Sequence, residues 1–113
     1  MTLDIRFRTF HVIGKYGIEI GRVVSATKFI KGNEFATQFA FCSRRDRFNR
    51  KLGRKIAQNR LAKKPLYFEY DKYDNSKEKK MSDYIKLIIV LEAKYRPTKI
   101  ISWMQDVNVD SLK

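Results

Sequence analysis

At 113 residues the chain is the size of one domain, and with 43% hydrophobic and 13% aromatic residues it carries enough apolar side chain for a buried core, which excludes a disordered chain. The formal net charge of +13 turns attention to anionic partners, and the single cysteine, Cys42, excludes an internal disulfide and fits a reducing compartment. The N-terminus alternates charged with apolar residues and so is no signal peptide. The longest apolar run, Leu87 to Leu91, is too short to span a bilayer. The expectation is a soluble, cytoplasmic protein.

In "TLDIRFRTF", Leu3, Ile5 and Phe7 point one way while Asp4, Arg6 and Arg8 point the other, the period of two that marks a half-buried strand. Gly14-Lys15-Tyr16-Gly17 reads as a turn. "IEIGRVVSATKFI" is a second strand, with Gly21 marking a bulge where the alternation slips phase. Lys31-Gly32-Asn33 is a tight hairpin signal, and "EFATQFAFC" is a third strand, with Phe35, Phe39 and Phe41 on one face against Ala36, Gln38 and Ala40 on the other. Three strands with short turns make an antiparallel meander whose one apolar face needs a cover.

Ser43 with Asp46 three residues on matches a capping box, which predicts that a helix begins at Arg44 and covers that face. At about 100° per residue, Phe48, Leu52, Gly53, Ile56 and Ala57 fall on one half of the helix, while Arg44, Arg47, Arg50, Lys51, Arg54 and Lys55 fill an arc of about 140° on the other. Arg60 falls back on the apolar side, so the helix is expected to fray before Pro65. Leu66–Tyr70 reads as a short strand and 72–76 as a loop. Asn75 with Glu78 is a second capping pattern, ahead of an apolar stripe through Met81, Tyr84, Ile85, Ile88, Leu91 and Tyr95 that Pro97 ends; the β-branched Ile88-Ile89-Val90 run also fits a strand. The tail fits either a short helix through Ile100, Trp103, Met104 and Val107 or a strand.

Little in the chain points to catalysis. A Cys/His nucleophile pair would use His11 and Cys42, each the sole residue of its type, with no orienting motif beside them. Two such ligands fall short of a structural zinc site. Gly14 to Gly17 has the wrong spacing for a phosphate-cradling loop. Glu78-Lys79-Lys80, and Glu69 with Asp71, carry carboxylates of the kind that metal-assisted nucleases use, but their setting is polar and better suits solvated charges.

The strong signal is residues 44–64, which hold ten of the 25 Lys and Arg residues and one acid, Asp46, and so supply +9 of the +13. Exposed helices ordinarily mix signs. Six cations on one face repel one another, and Arg44, Arg45 and Arg47 in a first turn would oppose the helix dipole. A cost of that kind without structural gain points to a partner that supplies negative charge. Six of the ten cations are Arg, the side chain suited to forked phosphate contacts and to stacking on bases. Tyr70 and Tyr73, set among charges downstream, are candidate stacking platforms for single strands.

The segment "FCSRRDRFNRKLGRKIAQNRL" resembles one found in small, mostly uncharacterised phage-encoded proteins, in which a strand ending in Cys-Ser precedes a helix of the form Asp-x-Phe-x-Arg-Lys-x-Gly-Arg-x-Ile-Ala. Here those positions are Asp46, Phe48, Arg50, Lys51, Gly53, Arg54, Ile56 and Ala57, and the match covers about a fifth of the chain. The resemblance implies a phage or prophage accessory protein acting in a bacterial cytoplasm; such proteins include nucleic-acid-handling factors and inhibitors of host defence, anti-CRISPR proteins among them.

Together these readings predict one α+β domain, 1–113. A three-stranded antiparallel meander (2–42) is covered by an amphipathic basic helix (44–60) and followed by a C-terminal α/β part (65–113) with a short strand and a second helix. The expected function is non-enzymatic binding of nucleic acid, DNA or RNA, without cofactor or metal. Arg44, Arg47, Arg50, Lys51, Arg54 and Lys55 take phosphates, Lys63 and Lys64 extend the track, and Tyr70 and Tyr73 stack. The alternative is an anti-CRISPR-like inhibitor that docks the same basic face on a nucleoprotein effector.

Overall fold

A computed structural model describes residues 4–47, 49–69, 81–95, 102–104 and 106–113. The chain runs β1 (Arg6–Ile13), β2 (Glu19–Lys31), β3 (Glu34–Ser43), α1 (Arg50–Lys63), β4 (Leu66–Glu69) and α2 (Met81–Tyr95), with short 3-10 turns at Ser102–Met104 and Val109–Ser111. The strands form one antiparallel sheet in the order β1-β2-β3-β4. The expected meander is therefore present and gains a fourth strand. β4 pairs with only the first part of β3, from Glu34 to Thr37. The segment at 81–95, open between helix and strand, is a helix, and the described residues of the tail form two 3-10 turns, with Leu112 making a single bridge to Val12.

Local chemistry sets the hairpins. The β2–β3 connection is Gly32-Asn33, and Gly32 alone of the two has a positive φ, 58°, as a type II′ turn requires. The bulge falls one residue before the glycine expected to make it. Val12 pairs with Gly21 and Ile13 with Glu19, so Ile20 is the unpaired residue. Gly21 answers a packing demand instead: a Cβ there would collide with the Trp103 ring and stand 2.5 Å from the Cys42 carbonyl oxygen.

Both faces of the sheet are covered, where the sequence reading allowed for one. Phe10, Val12, Val23, Phe35 and Phe39 pack with Ile85, Ile88, Ile89 and Ala93 of α2 and with Met104 and Leu112. On the other face Val24, Ala26, Ala36 and Ala40 meet Ala57 and Leu61 of α1. The basic helix thus covers the alanine face and not the phenylalanine face. Small side chains at 26, 36 and 40 do not announce a core face by hydropathy, yet they admit the helix closely. On α2 the buried stripe is Ile85, Ile88, Ile89 and Ala93, whereas Leu91 and Tyr95, expected to lie inward, are 41% and 71% exposed.

The basic helix starts six residues later than predicted. Its N-cap is Asn49, whose Oδ1 accepts the Leu52 N–H at 3.2 Å. Ser43 cannot cap a helix because β3 still holds it: Ser43 pairs with Gly21, and the Arg44 N–H donates to the Ile20 carbonyl at 2.7 Å. Ser43 and Asp46 do interact, but within a turn, with the Asp46 N–H on the Ser43 carbonyl at 3.0 Å and Ser43 Oγ donating to Asp46 Oδ2 at 3.2 Å. The other end does not fray at Arg60. That side chain turns to the sheet and donates from Nη1 to the Phe39 carbonyl at 2.8 Å, while Phe39 N–H donates to Gln38 Oε1 at 3.0 Å. These bonds satisfy β3 where β4 no longer runs beside it. Leu52, expected in the core, is 53% exposed, and Leu61 fills the place instead. Phe48 lies outside the described residues.

Candidate nucleic-acid interface

The shift of the helix start redistributes the predicted cations. Arg44 and Arg45 lie in the turn after β3, and Arg47 precedes the N-cap, so none of them belongs to the helix face. Arg44 borders a hollow of about 280 Å³ that also contains Glu19, Arg22 and Asp46, where carboxylates offset the charge. Arg47 sits on the flank of α1 marked by Leu52 and Ile56, beside a small apolar hollow that includes Val24 and Ala40. Lys63 is exposed in the last turn, where a cation suits the helix dipole. Lys64 closes the helix through its N–H to the Arg60 carbonyl at 2.8 Å, and its own carbonyl accepts from Gln38 Nε2 at 2.8 Å.

Arg50, Lys51, Arg54 and Lys55 remain together. They line one cleft of about 460 Å³ with Gln58 and with Phe7 of β1. The cleft exists because α1 lies over β2 and β3 and leaves the edge strand β1 uncovered on that face. Period two puts Phe7, Thr9 and His11 of β1, and Ile5 just before it, on this face. Ile5 and Phe7 reach the edge of the alanine-face core. The Arg54 guanidinium lies over the Phe7 ring, 5.4 Å from its centroid. No acid occupies the first turn of α1, so Arg50 and Lys51 meet the positive end of the helix dipole unbalanced. The unfavourable arrangement expected from the sequence is present, made by different residues.

Phe7 is the site residue that sequence reasoning missed. Its alternation marked it as a core residue of a strand, and only the placement of α1 turns one side of its ring into a cleft floor. Tyr70 and Tyr73 lie outside the described residues, as do Asp71 and Glu78. Phe68 is a core residue, stacked on Phe35 at 5.8 Å between centroids. Tyr67 is exposed on the far edge strand, bordering a hollow with Glu34 and Glu69, two carboxylates directly opposite each other in the ladder.

His11, Arg22 and Cys42 are neighbours in one row across β1, β2 and β3. Arg22 stands between the other two, so histidine and cysteine are two strand spacings apart, about 10 Å. His11 Nδ1 is hydrogen-bonded to Glu19 Oε1 at 2.6 Å, and Arg22 Nε donates to the same oxygen at 2.9 Å. These bonds, Arg22's first and His11's second, hold the Glu19 carboxyl below its ordinary value. Burial, then the Asp46 carboxylate, pushes the Cys42 thiol up, away from the thiolate that nucleophilic chemistry requires. Among the described residues no three His, Cys, Asp or Glu side chains converge as a metal site, and no helix is long and apolar enough to cross a membrane.

No family model matches the chain, and no curated protein or solved structure matches it.

Proposed function

We propose that this domain binds nucleic acid through the cationic cleft beside α1, without cleaving it, in the manner of the accessory proteins that its 41–61 segment resembles. One observation carries the reading. Four cations from two successive turns of α1 converge on one cleft whose described lining, Phe7, Arg50, Lys51, Arg54, Lys55 and Gln58, contains no carboxylate. By contrast, Arg22 is paired with Glu19, and Arg44 shares its hollow with Glu19 and Asp46. A cluster of two arginines and two lysines with no carboxylate beside it suits phosphates, which accept forked hydrogen bonds from arginine and release counterions on contact. With no base-reading constellation at the cleft, sequence preference is expected to be weak.

The test is a binding isotherm on labelled oligonucleotides as salt is raised. Neutralising about four phosphates gives a log–log slope near −3.6 on duplex DNA or about −2.8 on single strands. Replacing Arg50, Lys51 and Lys55 together with Ala removes three exposed charges and inserts the best helix former, so the melting temperature is kept while affinity falls by at least about tenfold. Salt-independent binding, or none to DNA or RNA at low salt, overturns the reading and shifts it to an acidic protein partner.

A further inference from the structure

The stripe of α1 that faces the sheet changes chemistry along its length. Ala57 and Leu61 are buried against the strands. Seven residues before each of them, and therefore about 20° away around the helix, stand Arg50 and Arg54. The N-terminal half of the inward stripe thus carries arginine where its C-terminal half carries alanine and leucine. Both arginines are exposed and line the cleft beside β1, and the Arg54 central carbon stands over Phe7, 5.4 Å from the ring centroid. Lys51, Lys55 and Gln58 fall further round, at the rim.

This geometry favours one form of nucleic acid. A duplex presents phosphates to a convex cationic surface and accepts a helix whose side chains point outward into its major groove. Here the Arg54 guanidinium stands over an aromatic ring beside the sheet edge, where its other side is open to an unpaired base. The cleft is open and has a volume of about 460 Å³. A guanidinium held by an aromatic ring on one side offers its other side to a base, as arginine planes do in single-strand recognition.

We propose that the cleft takes single-stranded nucleic acid: one base stacks on the Arg54 guanidinium that Phe7 supports, while Arg50, Lys51 and Lys55 hold the flanking phosphates. The proposal rests on the nucleic-acid reading above and adds the strand class and the stacking pair. Phe7 is then a positioning residue that acts through Arg54.

The experiment measures affinity at low salt for a single-stranded 12-mer of thymidine, the uridine equivalent, an abasic 12-mer with the same phosphates, and a 12-base-pair duplex. Arg54→Lys keeps the charge and loses the plane; Phe7→Leu keeps apolar bulk and loses the ring. Wild-type protein should prefer the base-bearing single strands over the abasic one and the duplex by about tenfold. Each variant should erase most of that preference, lowering affinity for the base-bearing strands far more than for the abasic one. Arg54 is exposed, so Arg54→Lys keeps the fold even where Phe7→Leu does not, and a thermal melt of each variant separates the cases. Equal wild-type affinity for duplex and single strand, or both folded variants behaving as wild type, overturns the single-strand proposal and leaves phosphate binding standing. Absence of binding to all four probes overturns both.

Discussion

The two faces of the sheet are built from different materials and do different work. The face under α2 carries Phe10, Phe35 and Phe39 against three isoleucines, Met104 and Leu112. The face under α1 carries Val24 and the alanines at 26, 36 and 40 against Ala57 and Leu61. Large side chains interdigitate over much area, so the first face supplies most of the apolar burial. Small ones let a helix approach the strands while holding it by a narrow strip, which leaves most of the circumference of α1 free to carry charge. The comparison teaches that the thinly packed face is the one that presents the cations and leaves β1 bare beside them.

The first way to break that comparison is to cut into the thick face. Phe39 is fully buried, and Phe39→Ala should cost about 3–5 kcal/mol in chemical denaturation. Oligonucleotide affinity should be unchanged at temperatures where the variant is folded, because no α2-face residue lines the cleft. A loss of affinity in the folded variant would show that the two faces are not independent.

On the thin face the corresponding pair is Leu61 and Leu52. Leu61→Ala should cost about 2–5 kcal/mol because the side chain is 1% exposed and has no replacement in the α1 contact. Leu52→Ala should stay within about 0.5 kcal/mol, since Leu52 is 53% exposed. Equal effects from the two would mean that α1 is rotated from the position described.

Overfilling sharpens the contrast further. Ala36 is fully buried beneath α1, and Ala36→Leu should destabilise by about 1–3 kcal/mol by lifting the helix from the strands. The same lift widens the cleft, so this variant should lose affinity as well as stability, unlike Phe39→Ala. Parallel melts and isotherms distinguish the two.

The smallest effect concerns the polar row at the end of the thin face. The folded-state pKa of Glu19 lies below its unfolded value, so its bonds to Arg22 and His11 add stability above the ordinary carboxylate range, and that stability is lost as pH falls through the folded pKa. Glu19→Gln should therefore be slightly less stable than wild type at pH 7, by under about 1 kcal/mol because the carboxylate is 37% exposed, and the difference should close as pH falls through the lowered folded-state pKa of Glu19. A difference that persists at acid pH would place the contribution of Glu19 in packing and not in charge.

Much of the architecture can be read from local pattern. The period-two alternation at 3–8 and 35–41, the glycines at the turns and the Lys31-Gly32-Asn33 hairpin each act within a few residues, so they specify the meander without help from the rest of the chain. The concentration of arginine and lysine between 44 and 64 is likewise a property of the chain alone, as is the need of such a cluster for counter-charge. Tertiary structure decided where that charge points. Ser43 and Asn49 are both competent N-caps, and the choice fell to Asn49 because the β3 ladder keeps Ser43 and the Arg44 N–H in the sheet, an interaction with Gly21 and Ile20 more than twenty residues earlier. That competition removed Arg44 and Arg47 from the helix face, and the packing of Ala57 and Leu61 on the alanine strands turned Leu52 outward and brought Arg54 over Phe7, 47 positions away in sequence. Caps and periodicity are short-range; the competition between a cap and a strand is resolved only when the strand has found its partner.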